Sequence, residues 1–199
     1  MKTLSEIQSE VDRWSLLNFG SQQSMSTGAN LYSLAPLLGI VEEVGEYETA
    51  SIAGDEPGMR DAIGDILIYL CDFASREYAC KLLLFDGKPT TFQTLTTTVG
   101  FLCHCVLKRH QGIRGMDNEN FYNANRDSAI NQLMLVISGI CNNVLNDSVI
   151  DILNETWESV QKRDWKKNPG GEPSAVDDMD PRAASEPMSQ YTYLPTRST

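Results

Sequence analysis

Apolar side chains recur every three or four residues along most of this chain, and clusters of proline, glycine and small polar residues interrupt them. That spacing predicts about six helices, over 4–18, 32–53, 57–85, 91–111, 118–143 and 147–167. Gly20 and the polar stretch 21–30 form the first break, Gly54 the second and Asp86-Gly87-Lys88-Pro89 the third. Pro57 suits the first turn of the third helix. No segment alternates convincingly with the period of a strand, although the threonine-rich stretch 94–99 is ambiguous. The fold class expected is all-α, a bundle of about six helices. From Pro169 onward periodicity disappears and Pro, Ser, Asp and Glu dominate, so 169–199 is expected to be an acidic, disordered tail following a helical domain over 1–168.

Two of these helices carry acids where a counter-charge is missing. Glu42, Glu43 and Glu46 fall together on the second helix, opposite Leu37, Ile40, Val41, Val44 and Tyr47. On the third, Asp61 and Asp72 lie within about 40° of Asp65, so three aspartates line a seam flanked by Ile68 and Tyr69. Ile63, Ile66, Leu67, Leu70, Phe73 and Ala74 form the opposite, core-facing stripe. Like charges three or four apart destabilise an isolated helix by about 0.2–0.5 kcal/mol per pair. No lysine at the i+4 positions offsets them. The acids are either solvated faces of amphipathic helices or ligands of a hard divalent cation, for which Mg²⁺ is the natural choice.

Charge and composition narrow the function classes. A formal charge of −11 and a pI near 4.6 argue against a broad surface for a nucleic-acid polymer. No apolar run approaches a membrane span, and Met1 to Glu6 lead straight into an amphipathic pattern without a signal-peptide profile. Cys71, Cys80, Cys103, Cys105 and Cys141 are an odd number without CxxC spacing, expected as buried reduced thiols of a cytoplasmic protein. A zinc site at Cys103, His104 and Cys105 is disfavoured, because adjacent helical residues point in different directions.

The end of the sixth helix concentrates Lys162, Arg163, Lys166 and Lys167 ahead of Asn168 and Pro169. Cations there either complement the helix dipole or clamp a polyphosphate. Trp157 and Trp165, eight apart, are expected in the core. A faint internal echo joins Arg60-Asp61-Ala62-Ile63-Gly64-Asp65 to Arg126-Asp127-Ser128-Ala129-Ile130-Asn131, and Val44-Gly45 to Val99-Gly100. It fits either chance or a duplicated helical pair in which 90–145 is a degenerate copy, with Thr98 and Phe101 where Glu43 and Glu46 stand.

Glu42-Glu43-Val44-Gly45-Glu46, then Asp61-Ala62-Ile63-Gly64-Asp65-Ile66-Leu67-Ile68-Tyr69-Leu70, then Arg163-Asp164-Trp165-Lys166-Lys167-Asn168-Pro169 together resemble the MazG-like, all-α nucleoside triphosphate pyrophosphohydrolases. Trp14-Ser15-Leu16-Leu17-Asn18-Phe19-Gly20 is similar to the first helix of many members. The resemblance covers about 10–85 and 150–169. It implies Mg²⁺-dependent cleavage of a (d)NTP between the α and β phosphates, releasing a monophosphate and pyrophosphate, with Mn²⁺ as a substitute ion. It also implies a catalytic bundle that works as a homodimer, or as an intrachain pseudo-dimer if 90–145 is a repeat.

By position, Glu43 and Glu46 match the family's ExxE pair and Asp65 the aspartate of its ExxD pair. The glutamate of that second pair falls at Ala62, which offers no ligand; Asp61, one turn from Asp65, is the acid placed to substitute. Glu42 or Glu43 is then the proton acceptor. Lys162, Arg163, Lys166 and Asn168 are the phosphate contacts, and Asn18 and Trp14 are weaker candidates for base or sugar. The competing function is a catalytically weakened helical module of the same fold that senses nucleotides or binds a partner; Ala62 is its support. A carboxylate-bridged redox di-metal bundle is disfavoured, since neither His104 nor His110 has a glutamate three residues before it. No nucleophile elbow supports Ser-His-Asp chemistry.

Overall fold

Short polar side chains start the helices. Thr3 and Glu6 exchange bonds ahead of α1 (Leu4–Phe19), with the Thr3 N–H donating to the Glu6 carboxylate at 2.7 Å. Asp55 takes the Gly58 N–H at the head of α3 (Glu56–Arg76), and Thr94 and Thr97 form a reciprocal capping box at the head of α4 (Leu95–Gln111). Asn118 accepts from Phe121 before α5 (Glu119–Asn143), and Ser148 accepts from Ile150 and Asp151 before α6 (Val149–Val160). Each such cap is worth about 0.5–2 kcal/mol. Between α2 (Leu34–Ala53) and α3 the chain reverses through Gly54, whose φ of 69° is left-handed and comfortable only for glycine. The structure, a computed structural model, describes residues 1–19, 33–77, 81–85 and 94–168. Among them every regular element is one of these six α-helices.

The ambiguous 94–99 stretch is therefore helical, because the Thr94–Thr97 box satisfies the free N–H groups of a first turn. Two helix ends differ from expectation. The third helix stops at Arg76 instead of reaching 85. The Glu77 N–H still bonds the Phe73 carbonyl, but its carboxylate is drawn sideways to Tyr122 and Ser33, and residues 81–85 run without helical structure. Leu82 is buried there, its N–H donating to the Gln8 side chain at 3.4 Å. The sixth helix ends at Val160, not 167, so the basic cluster lies beyond a helix rather than in its last turn. The second and fourth helices begin at Leu34 and Leu95; the earlier starts at 32 and 91 lie outside the described residues, as do Cys80 and the expected tail over 169–199.

The described residues up to Lys162 form one compact unit with α3 at its centre. Helix α3 packs against α1, α2 and α6, while α4 lies on α5 and touches α2. The predicted stripe of Ile63, Ile66, Leu67, Leu70, Phe73 and Ala74 is buried, and burial extends further round, to Ala62, Gly64, Ile68 and Cys71. Gly64 permits part of this: a Cβ there would overlap the Thr156 hydroxyl of α6, so its absence lets α6 lie flush against α3. Cys71, Cys105 and Cys141 are buried free thiols and Cys103 is half-buried, as expected. Trp157 is in the core, but Trp165 belongs to a second unit that begins at Arg163. Within that unit the Arg163 guanidinium lies 5.9 Å from the Trp165 ring, and Asp164 binds the Lys167 ammonium at 3.0 Å.

Helix α2 turns a different face inward from the one its apolar residues suggest. Pro36, Leu37, Gly39, Ile40, Glu43 and Val44 are buried, while Val41 is 45% exposed. Glu43 and Val41 have thus exchanged their expected sides. Burying Ile40 and Val44 yields about 1.5–3 kcal/mol apiece, enough to carry the carboxyl between them inward while it stays protonated or neutralised. The two halves of the internal echo differ in their partners. Arg60 bridges to Asp147 and Glu155, whereas Arg126 is buried against Glu77 and Asp127. Thr98, at the position matching Glu43, is buried with its hydroxyl bonded to its own helix, at Thr94 O and Leu95 O.

Candidate functional site

The acids of α2 and α3 meet where the two helices pack. Glu43 is only 8% exposed. Burial and, after it, the charge of Asp65, then those of Glu46, Glu42 and Asp61, push its carboxyl up to about 8. Glu46, on the exposed side, is also raised, first by partial burial and then by Glu42 and Asp61. The two sequence-distant groups therefore share one electrostatic neighbourhood. Asp65 is half-buried between the interior and the exposed Asp61 and Glu42. Glu42, Glu43, Glu46 and Asp61 form no ion pair among the described residues.

Asp72 does not belong with them. It is buried one and a half to two turns beyond Asp65 and receives Arg76 Nε at 2.7 Å and the Ser15 hydroxyl at 2.9 Å. Arg76 also donates to Ser15 at 2.6 Å, closing a triangle between α1 and α3. Burial raises the Asp72 carboxyl, while Arg76 and Ser15 pull it back. The seam of three aspartates is thus a pair plus a neutralised structural acid. Ala62 is 2% exposed and carries no donor, whereas Asp61 beside it is exposed and acts on both Glu43 and Glu46.

The donor set suits a hard cation: all five groups are carboxylates, and the most buried of them has no cation beside it among the described residues to hold its charge. As they stand, no three His, Cys, Asp or Glu side chains among the described residues converge closely enough to hold a metal ion.

The remaining candidates are placed variously. Trp14 is half-buried on α1, edge-on to Trp157 at 6.1 Å and to Phe19 at 5.7 Å, so its ring is part of the α1–α6 packing. Asn18 donates to the Trp14 carbonyl at 3.1 Å. Lys162 is exposed just past the end of α6. Arg163, Lys166 and Asn168 belong to the second unit, where Asn168 is exposed with its N–H on the Asp164 carbonyl.

A second polar cluster has no counterpart in the sequence reading. Glu77 accepts from Tyr122 at 2.7 Å and from Ser33, and faces Arg126 at 3.6 Å. The Arg109 and Arg126 guanidiniums both lie over the Tyr122 ring, at 5.3 and 5.4 Å from its centroid. Arg109 in turn caps the Met116 and Asp117 carbonyls, so the cluster locks the α4–α5 turn onto the end of α3. Its only local signal was a tyrosine and an arginine four apart on α5. No family model, no curated protein and no solved structure matches the chain.

Proposed function

We propose that this protein is a divalent-cation-dependent nucleoside triphosphate pyrophosphohydrolase, acting at the carboxylates of α2 and α3. One observation carries the reading: Glu43 is buried where α2 packs on α3 with no neutralising group beside it among the described residues, and the charges of Asp65, Glu46, Glu42 and Asp61 add to that burial in raising its proton affinity. A fold retains such a liability where a ligand of opposite charge offsets it. The motif resemblance supplies the reaction class, cleavage of a (d)NTP between the α and β phosphates.

Glu43, Glu46, Asp61 and Asp65 are the residues that would hold Mg²⁺ or Mn²⁺. When bound, such an ion polarises phosphate oxygens and lowers the pKa of an attacking water. Glu43 and Asp65 form the inner part of the cluster, where the packing of α2 on α3 limits hydration. Glu42 at the rim, or Glu43 itself, takes the proton of the attacking water. Phosphoryl transfer asks chiefly for positioning and charge neutralisation, which a fixed carboxylate cluster provides without a covalent nucleophile. For the polyphosphate the proposal rests on sequence alone: Lys162, Arg163, Lys166 and Asn168 supply the donors. Working as a homodimer or intrachain pseudo-dimer belongs to the same proposal.

The buried Ala62 favours one competing function, a catalytically weakened module that binds nucleotide or a partner. A panel of ribo- and deoxyribonucleoside triphosphates with Mg²⁺ or Mn²⁺, read by pyrophosphate release, separates the two. Turnover that falls at least 100-fold in Glu43→Gln and Asp65→Asn supports the enzyme. Nucleotide binding without turnover supports the module, and equal activity in all three proteins removes the site.

A further inference from the structure

One close contact sits a single turn from the Glu43–Asp65 pair. Gly39 precedes Glu43 by four residues on α2, and Tyr69 follows Asp65 by four on α3. In the antiparallel hairpin these two positions come together: a Cβ on Gly39 would lie 2.6–2.7 Å from three atoms of the Tyr69 ring. Real Cβ atoms do not approach that closely, so the ring occupies the volume that any other residue at 39 would fill. Gly39 is buried and Tyr69 half-buried, which places the contact at the edge of the core rather than in solvent.

Glycine in a helix interior costs about 0.5–1 kcal/mol relative to alanine. Gly45, also in α2, would meet nothing with a Cβ, so nothing on its side of the helix requires a small residue. Gly39 is different, since its missing side chain sets how near α3 can come. The carboxylates one turn away inherit that separation, about 6 Å along the helix from the contact.

We infer that Gly39 is a positioning residue: by leaving room for the Tyr69 ring, it lets α2 and α3 approach to the spacing from which Glu43 and Asp65 reach the same cation. The inference rests on the cation site proposed above. Its effect is local, because the α1–α3 and α3–α6 contacts do not pass through Gly39.

The experiment measures Mn²⁺ affinity of the nucleotide-free full chain by the electron paramagnetic resonance signal of free ion, beside circular dichroism and thermal unfolding. Gly39→Ala is expected to weaken Mn²⁺ binding about tenfold or more while retaining helical content. Adding Tyr69→Ala to that variant removes the ring the new methyl strikes, and is expected to restore affinity to within about threefold of wild type. Gly45→Ala, next to Glu46 but on the open side, is expected to leave affinity unchanged. Wild-type affinity in Gly39→Ala overturns the inference and leaves the cation site standing, as does a folded double variant that stays weak. Should Gly39→Ala fail to fold, the double variant decides alone by the same criterion. A wild-type chain that binds no Mn²⁺ overturns the cation site and this inference with it.

Discussion

Replacing Glu43 by glutamine keeps the shape of the side chain and removes its charge, so it isolates the electrostatic cost of the acidic cluster. Glu43 has a pKa of about 8 in the folded chain against 4.5 for an unperturbed glutamate. Its folded-state value is raised, so its contribution to stability is complete below pH 4.5 and is lost as pH rises toward 8. At about 1.36 kcal/mol per pH unit, the metal-free wild type loses at most about 3 kcal/mol from this group between pH 4.5 and 7, and about 5 kcal/mol by pH 8. Glutamine cannot ionise and loses none of it. Urea denaturation in EDTA at pH 5, 6, 7 and 8 should therefore show wild type and Glu43→Gln diverging with rising pH, the variant becoming the more stable. Part of the slope survives in the variant, because Glu46 is raised as well. Mg²⁺ at 100 times its Kd should return about 2.7 kcal/mol to the wild type and little to the variant. Parallel profiles for the two proteins from pH 5 to 8 without metal would refute the account of why Glu43 is perturbed.

Three further outcomes are expected. Gly64→Ala should destabilise the fold by about 1–3 kcal/mol in thermal or urea unfolding, because its methyl overlaps Thr156, and Thr156→Ala should recover part of the loss. Asp72→Ala should cost about 3–5 kcal/mol by leaving Arg76 buried without its carboxylate, while the Mn²⁺ affinity of the chain that remains folded stays close to wild type. Asp61→Asn should weaken both Mn²⁺ binding and pyrophosphate release about tenfold if this exposed acid stands in for the side chain that Ala62 lacks; unchanged values would remove Asp61 from the site.

The parts of the fold carried by local periodicity were legible in the residues. The apolar stripe of α3 is buried as its spacing predicts, and α5 begins just past Asn118, the expected start, whose side chain accepts from the Phe121 N–H. Pairing of the α2 and α3 acids was legible too, because a two-residue turn at Gly54 and Asp55 folds one helix back on the other.

What escaped depends on tertiary packing. A wheel assigns glutamate outward and valine inward, yet the groove offered by α3 takes Glu43 and leaves Val41 exposed. Asp72 and Arg76 are an ordinary i, i+4 pair in sequence, and only contact with Ser15 of α1 makes them an interior triangle. The third helix overran because its residues still favour helix, whereas long-range bonds from the Glu77 side chain end the pattern. The contact between Gly39 and Tyr69 spans thirty positions and leaves no mark in either local sequence.

The measurement closest to the central claim is Mg²⁺ or Mn²⁺ binding to the metal-free chain at pH 7, by calorimetry in buffers of different ionisation enthalpy. With Glu43 mostly protonated at that pH, an ion entering the cluster must displace its proton. Binding accompanied by release of about one proton, absent in Glu43→Gln, is the predicted result. Binding without proton release, or no binding at all, would contradict the assignment of these carboxylates to a cation site.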